Sequence, residues 1–106
     1  SLVLPYVLRF NSVALKAAKD YAELAPYVFP KLDINKGAQA VSAEFIDKLE
    51  DLSKRLGLPQ KLREVDIPKD ACEKMASDAM KQTRLLVNNP REVTEVDALN
   101  IYQSAW

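Results

Sequence analysis

The stretch AQAVSAEFIDKLEDLSKRLGLP, residues 38–59, carries the strongest secondary-structure signal in the chain. Apolar side chains recur in it at steps of three and four, which is the spacing of one face of an α-helix. This stripe consists of Ala38, Val41, Phe45, Leu49, Leu52 and Leu56. Gly57 then stands where a helix end favours a residue with positive φ, and Pro59 forbids continuation. The pattern predicts a long helix closed by a Schellman cap, with Leu58 folded back onto Leu52.

The polar face of this helix predicts ion pairs between acids and bases four residues apart, with the acid leading, which is the favourable orientation. The pairs are Glu44 with Lys48, Glu50 with Lys54, and Asp51 with Arg55. Together with Asp47, these acids could also suggest a metal site, but carboxylate metal sites project into a core from several helices. Here the acids lie opposite the apolar stripe and alternate with bases, which favours a solvated face.

Two further helices are predicted before this stretch. The run Leu2–Leu8 is almost wholly apolar, and its periodicity fits a buried strand as well as a buried helix. Pro5 favours a helix, because the first turn is where a missing N–H costs little. The segment from Ala14 to Leu24 is rich in alanine and has high helix propensity. The two prolines between Pro26 and Asn35 predict a loop that reverses the chain.

After the long helix, the sequence predicts a connector from Leu62 to Pro68 and a helix from near Asp70 to near Thr83. One side of this helix carries Ala71, Met75, Ala76, Ala79 and Met80, and the two methionines are expected to fill the core. The run Leu85-Leu86-Val87 follows in a predicted loop, where water would not favour it. It either packs onto the core or lines a cleft shared with another domain.

The last helix is predicted from the signals at its start. Thr94 is the expected N-cap, and Asp97 completes an imperfect capping box. Val96, Leu99, Tyr102 and Trp106 follow at helical spacing, so the C-terminus is expected to dock rather than fray. No alternating pattern is long enough for a sheet. The chain is therefore predicted to be all-α, a compact array of four or five helices that forms a single domain over residues 1–106.

Composition excludes several classes of function. Fifteen basic residues balance fifteen acidic ones, which gives no electrostatic reason to bind nucleic acid or an anionic membrane. The absence of histidine excludes Ser-His-Asp and Cys-His catalysis and every metal site built on imidazole. Two glycines are too few for a glycine-rich phosphate loop. A single cysteine cannot form an internal disulfide, which favours a reducing, cytoplasmic setting.

Few side chains remain as candidates for chemistry. Cys72 has no histidine to activate it, so a structural thiol is favoured over a nucleophile. Lys81, Arg84 and Arg91 flank the loop before the last helix, where they either meet an anion or complement a helix C-terminus. The residues by themselves predict no catalytic, cofactor-binding or metal-binding residue in this chain.

Several motifs together resemble one enzyme family. They are LPYVLRFN (4–11), LGLP (56–59), LREV (62–65) with IP (67–68), DA (78–79), NPREVT (89–94) and IYQSAW (101–106). In this order they are similar to the C-terminal helical part of iron-containing (group III) alcohol dehydrogenases. The resemblance implies the C-terminal part of a dehydroquinate-synthase-like helical domain, and it covers most of the chain.

The resemblance also implies a larger parent enzyme. In this family an N-terminal α/β domain binds NAD(P), and one aspartate and three histidines hold iron or sometimes zinc. The metal polarises the alcohol oxygen while hydride passes to the nicotinamide. The resemblance places the last of those ligands just before residue 1, so none of them is expected in this chain. The segment is therefore expected to be a fragment that is inactive and binds neither cofactor nor metal alone.

One site residue follows from the resemblance. Some relatives carry cysteine and glycines where Leu85, Leu86 and Val87 stand, and others carry histidine where Tyr6 stands. Because this loop approaches the substrate side of the cleft in the family, Leu85 is expected to form an apolar wall of the substrate pocket. Maleylacetate reductases and glycerol dehydrogenases share the architecture, so the substrate stays open.

The expected partners are the N-terminal nucleotide-binding domain and the metal-ligand helices of the same enzyme. The isolated segment is also expected to self-associate through the face that meets them. The alternative is a free-standing helical module without catalytic activity, which binds another protein through the apolar Leu2–Leu8 face.

Overall fold

A computed structural model describes all 106 residues, and every regular element in it is helical. The six α-helices are α1 (Leu4–Ser12), α2 (Leu15–Val28), α3 (Ala38–Arg55), α4 (Ala71–Ala79), α5 (Thr83–Val87) and α6 (Glu95–Ala105), and residues Leu62–Val65 form a 3-10 turn. The predicted all-α class is confirmed. The number of helices exceeds the expected four or five because α5, a helix of five residues, occupies the segment predicted as a loop.

The long helix α3 is the element against which α1 and α2 pack. Its C-terminal cap is the predicted Schellman motif. Gly57 has a φ of 75° and its N–H donates to the carbonyl of Lys54 at 3.0 Å, while the N–H of Leu58 donates to the carbonyl of Ser53 at 3.1 Å. Glycine adopts this backbone conformation without a steric penalty, so α3 ends where the sequence indicates.

The apolar stripe of α3 is only partly covered. Val41 and Phe45 are buried in a cluster with Ala25 and Leu32, and the ring of Phe29 meets that of Phe45 edge to face at 6.0 Å. Further along the same stripe, Leu52 is 38% exposed and Leu56 is 67% exposed. The stripe therefore continues beyond the part of α3 that this chain covers.

Helix α2 is longer than predicted. It passes through Pro26 and ends at Val28, so the loop begins after that residue rather than at the proline. The N–H of Phe29 donates to the carbonyl of Ala25 at 2.8 Å and closes the last turn. A proline this close to the end of a helix removes one backbone hydrogen bond without preventing the final turn.

Helices α4 and α6 pack together through small side chains. The buried residues are Cys72 and Ala76 on α4 and Ala98 and Ala105 on α6. The prediction that Val96 belongs to the apolar face of α6 is wrong, because that side chain is 67% exposed. Small residues allow the two helices to approach closely, so alanines rather than larger side chains occupy the seam. The methionines expected in the core, Met75 and Met80, are only partly buried.

Both ends of α6 are fixed as predicted. The hydroxyl oxygen of Thr94 accepts from the N–H of Asp97 at 3.2 Å, and the Asp97 carboxylate accepts from the N–H of Thr94 at 3.0 Å. The hydrogen bond from this N–H lowers the pKa of Asp97. At the other end, the indole N–H of Trp106 donates to the carbonyl of Ile67 at 2.9 Å, which docks the C-terminus.

The molecule exposes more surface than a globular protein of its mass. Its accessible surface is 7,002 Å², whereas a monomer of 11.9 kDa is expected to expose about 5,900 Å². Its radius of gyration is 14.5 Å, compared with about 13 Å for a compact chain of this length. The extents of 41 × 31 × 19 Å show that the helices form a flattened layer. None of its helices combines the length and the hydropathy needed to cross a membrane.

Candidate functional site

An open apolar groove of about 340 Å³ lies where α1, α5 and α6 meet. Its walls include Val3 and Val7 near the start of the chain, Leu85 and Leu86 from α5, and Ile101 and Tyr102 from α6. Two amide side chains, Gln82 and Asn89, also reach the groove, but no carboxylate, lysine, arginine or cysteine lines it. The groove is large enough for a small ligand and is chemically suited to an aliphatic one.

The structure places Leu85 at the edge of this groove. Of the three successive apolar residues singled out in the sequence, Leu85 is 61% exposed, Val87 is 82% exposed and only Leu86 is partly buried. The segment therefore does not pack into the core, which was one of the two expectations for it. It forms a short helix whose apolar side borders an open space.

A buried pair of amides connects the end of α1 to the loop after α5. Asn11, which is 2% exposed, donates through Nδ2 to Oδ1 of Asn89 at 2.9 Å, and Nδ2 of Asn89 donates to Oδ1 of Asn11 at 2.7 Å. The second Nδ2 hydrogen of Asn11 goes to the hydroxyl of Tyr21 at 3.1 Å. Every hydrogen-bonding atom of the buried Asn11 side chain thus has a partner.

Arg91 forms a second connection beside this pair. Its Nη1 donates to the carbonyl of Phe10 at 2.7 Å, and its guanidinium lies 3.9 Å from the centre of the Phe10 ring. The Arg91 side chain is therefore engaged by Phe10 and is not available to bind an anion. Lys81 is paired with Asp78 at 3.1 Å.

Sequence reasoning missed these links, although both LPYVLRFN and NPREVT were singled out as motifs. The available signal was a pair of asparagines, Asn11 and Asn89, inside two motifs that are 78 residues apart.

The acidic residues of α3 hold an arginine from α1. Nη2 of Arg9 lies 2.9 Å from the Asp47 carboxylate and 2.5 Å from the Glu50 carboxylate. Partial burial disfavours the charge of Arg9, but the hydrogen bonds and attraction from Glu50 and Asp47 outweigh it and raise the pKa of the guanidinium. This pairing fixes α1 across α3.

Of the three predicted ion pairs along α3, only that between Asp51 and Arg55 is present, at 3.2 Å. Glu50 binds Arg9 instead of Lys54, and Glu44 pairs with Lys36 instead of Lys48. Side chains from other parts of the chain compete successfully with local helix pairs, because local pairs are worth only a few tenths of a kcal/mol.

No group of three or more acidic and cysteine side chains in this chain is arranged to hold a metal ion, and the sequence has no histidine. Cys72 on α4 is 1% exposed, which fits a structural thiol. The two glycines, Gly37 and Gly57, flank the two ends of α3 and form no phosphate-binding turn.

The fold and the order of the motifs define a class, namely the helical C-terminal domains of metal-dependent alcohol dehydrogenases. Residues 1–106 match over their whole length the family described as "Fe-containing alcohol dehydrogenase family, C-terminal". The chain belongs to this family, and the resemblance seen in the sequence is confirmed.

Three curated relatives illustrate this membership. The chain is 32% identical to NADH-dependent butanol dehydrogenase A of Clostridium acetobutylicum over 71% of its own length and 19% of the relative. It is 29% identical to long-chain-alcohol dehydrogenase 1 of Geobacillus thermodenitrificans over 100% of its length and 26% of the relative. It is 27% identical to lactaldehyde reductase of Escherichia coli over 100% of its length and 27% of the relative. The chain thus spans about a quarter or less of the relatives' length.

Proposed function

We propose that this chain forms the helical, substrate-side part of an enzyme that interconverts alcohols and aldehydes by hydride transfer with a nicotinamide cofactor. The observation that carries the proposal is the match of all 106 residues to the family. The named substrates of the three relatives are a short alcohol, long-chain alcohols and an aldehyde. The apolar groove beside Leu85 suits the aliphatic part of such substrates.

The proposal divides the work between this segment and the rest of the enzyme. In this proposal NAD(P) is held by an N-terminal nucleotide-binding domain and iron or zinc by ligands on other helices. The lack of histidine and of a cluster of metal-ligating side chains in this chain supports that division. The metal would supply Lewis-acid polarisation of the alcohol oxygen. The chain's own contribution is an apolar wall, with Leu85 as the residue proposed to contact substrate. One thiol, buried at Cys72, suits a cytoplasmic enzyme.

The direct test compares the metal-loaded full-length gene product with the 106-residue chain. We expect alcohol oxidation with NAD⁺ or NADP⁺ from the full-length protein and none from the chain alone. The chain alone should bind neither NAD(P)H nor iron stoichiometrically, as measured by calorimetry and elemental analysis. One tightly held metal ion per 106-residue chain, or turnover by it unaided, would contradict the proposed division of work.

The role of Leu85 is tested by Leu85→Ala in the full-length enzyme. Burial of a methylene is worth about 0.8 kcal/mol. Leu85 is 61% exposed in this chain and so available to be covered by substrate, and its truncation should reduce the binding free energy of a long alcohol by about 1 kcal/mol. That corresponds to a rise of roughly fivefold in KM for long alcohols and little change for ethanol. Val87→Ala is the matched control, because Val87 is 82% exposed and does not line the groove. Equal KM changes for ethanol and octanol would exclude Leu85 as the alkyl wall.

The surplus surface supports the proposed partners. The chain exposes about 1,000 Å² more than its mass predicts, and a stable interface needs about 800 Å² from each partner. In the full-length enzyme the rest of the polypeptide would cover this area, and in the isolated chain a second copy would. Sedimentation should therefore give a mass above 11.9 kDa for the isolated chain. A strict monomer at tens of micromolar would refute self-association.

The structure gives no support to the alternative of a free-standing interaction module. Within the Leu2–Leu8 run Pro5 is buried, Leu4 is 49% exposed, and Val3 and Val7 line the groove proposed here for substrate. The hydroxyl of Tyr6 donates to the carbonyl of Gln60 at 3.2 Å, which turns this side chain toward the chain's own connector.

A further inference from the structure

We infer that Asn11 and Asn89 are positioning residues that hold the α5 wall of the groove, and so set how far an aliphatic substrate extends along it. The part that concerns substrate rests on the proposed function. The part that concerns the position of α5 rests on the geometry of the chain itself.

Helix α5 has little packing of its own. It contains five residues, none of them buried, and its groove residue Leu85 is 61% exposed. A single helical turn is unstable by itself, because the cost of nucleation is not repaid by so few hydrogen bonds. The place that α5 occupies must therefore be fixed by the segments that flank it.

On the N-terminal side a backbone turn joins α5 to α4, with the N–H of Gln82 donating to the carbonyl of Ala79 at 3.0 Å, and the C-terminal flank supplies the restraint from a distant part of the chain. The N–H of Asn89 donates to the carbonyl of Leu86 at 3.1 Å, so the backbone of Asn89 is tied to the last turn of α5. Its side chain forms the two reciprocal hydrogen bonds with Asn11 at 2.9 and 2.7 Å. Asn89 also lines the groove next to Leu85 and Leu86. A displacement of Asn89 would thus be transmitted directly to the wall.

The far side of the link is buried and hydrogen-bonded to a second helix. Asn11 lies in the last turn of α1 and is 2% exposed, and it also donates to the hydroxyl of Tyr21 on α2. Nδ2 of Asn89 reaches the carbonyl of Arg91 at 2.6 Å, while Arg91 donates to the carbonyl of Phe10. The loop after α5 is therefore held to the end of α1 at two adjacent points. A buried amide pair with every hydrogen bond satisfied tolerates only a narrow range of positions.

The first experiment measures the position of α5 without any catalysis. A nitroxide label is attached to the thiol introduced by Val87→Cys, an exposed site at the end of α5, and the native Cys72 is buried and does not compete. Asn11→Ala and Asn89→Ala should each raise the mobility of the label. Asn100→Ala is the matched control, since it removes the same amide from an exposed position on α6, and it should leave mobility unchanged.

Asn11→Ala is the decisive variant because Asn11 is 78 residues from Asn89 in sequence. Its replacement therefore leaves the local sequence of α5 unchanged and acts on α5 through the side-chain contact. If α5 keeps its wild-type mobility in folded Asn11→Ala protein, the inference is overturned. Should that variant not fold by circular dichroism, Asn11→Ser keeps an uncharged polar side chain but shortens it, which removes the paired hydrogen bonds with Asn89. Raised mobility is expected, and wild-type mobility would overturn the inference.

The second experiment uses the full-length enzyme and a series of alcohols from ethanol to octanol. Asn11→Ala, whose side chain does not line the groove, should raise KM for octanol about fivefold, leave KM for ethanol within twofold, and change kcat by less than twofold. Adding Leu85→Ala to Asn11→Ala should give no further change, since both act through the same wall. A mobile α5 with an unaltered chain-length profile would overturn the role in positioning substrate. If the wild-type enzyme oxidises no alcohol, the proposed function fails, and the label mobility still decides whether the pair fixes α5.

Discussion

Replacing Phe45 by alanine should remove a large part of the chain's stability, whereas the same replacement at Leu56 should not. Both residues belong to the apolar stripe of α3, but Phe45 is 4% exposed and Leu56 is 67% exposed. Truncation of a buried phenylalanine costs about 3–5 kcal/mol through lost transfer energy and the cavity that remains. An exposed leucine should cost within about 0.5 kcal/mol.

The loss at Phe45 is large in relation to the whole. Domains of this size are stable by about 5–15 kcal/mol, and only 15 of the 106 residues are buried here, which places this chain toward the lower end. Phe45 contacts Val41 and Leu32 in the main cluster and meets Phe29 edge to face. Phe45→Leu keeps most of the volume and loses the aromatic pair, so its cost should be about 1 kcal/mol.

Urea unfolding followed by circular dichroism at 222 nm gives the difference in free energy of unfolding between each variant and the wild type. The measurement is repeated at several protein concentrations, because self-association would bury Leu56 and make its contribution depend on concentration. The reasoning is refuted if Leu56→Ala costs as much as Phe45→Ala at the lowest concentration, since the stripe would then be buried along its whole length within one chain.

Three further predictions concern the helix caps. Thr94→Ala should destabilise the chain by about 1 kcal/mol in urea unfolding, because the first turn of α6 loses its side-chain acceptor. Thr83→Ala, at the start of α5, is the control and should cost clearly less, because that helix has no side-chain cap hydrogen bond. Because the pKa of Asp97 is lowered in the folded state, its contribution to stability should be complete above its ordinary value of 3.8 and disappear as the pH falls through the lower folded value. Asp97→Asn should therefore flatten the dependence of unfolding free energy on pH in that range, and an unchanged slope would exclude the capping carboxylate as its source. Gly57→Ala should cost about 1 kcal/mol because φ is 75° there, whereas Lys54→Ala, at an exposed position in the last turn of the same helix, should cost less. A cost at Gly57 as small as that at Lys54 would show that the turn accommodates a Cβ freely.

The sequence was most informative where structure depends on near neighbours. The stripe of α3, the cap at Gly57 and the box of Thr94 and Asp97 all involve residues within a few positions of one another, and all three were predicted. The all-α class followed from them. Local geometry determines these features, so no knowledge of the tertiary arrangement is needed to read them.

The errors arose where distant parts of the chain decide the outcome. The partner of Glu50 is Arg9 on another helix rather than Lys54 one turn away. The buried face of α6 is set by the helices packed around it, and Ala98 is buried while the larger Val96 is 67% exposed. Hydrophobicity alone ranks these two residues in the opposite order, because it does not include the space available between two helices.

The candidate site was predicted only in part. Leu85 was named through the family resemblance, and it does lie at an apolar groove. The link between Asn11 and Asn89 was not predicted, since nothing in either local sequence indicates a partner 78 residues away. Two family motifs that seemed independent in the sequence therefore turn out to contain the two halves of one contact.

The docked indole of Trp106 has a practical consequence for spectroscopy. It is the only tryptophan in the chain, and it lies at the junction of the C-terminal residue with the 3-10 turn, close to the cations of Arg63 and Lys69. Its fluorescence therefore reports on a single location, and release of the chain's end should shift the emission to longer wavelength. The cluster around Phe45 contains no tryptophan, so the loss of that cluster alone should not change the emission of Trp106. Fluorescence thus follows the docking of the C-terminal end, whereas circular dichroism at 222 nm follows the helices of the whole chain.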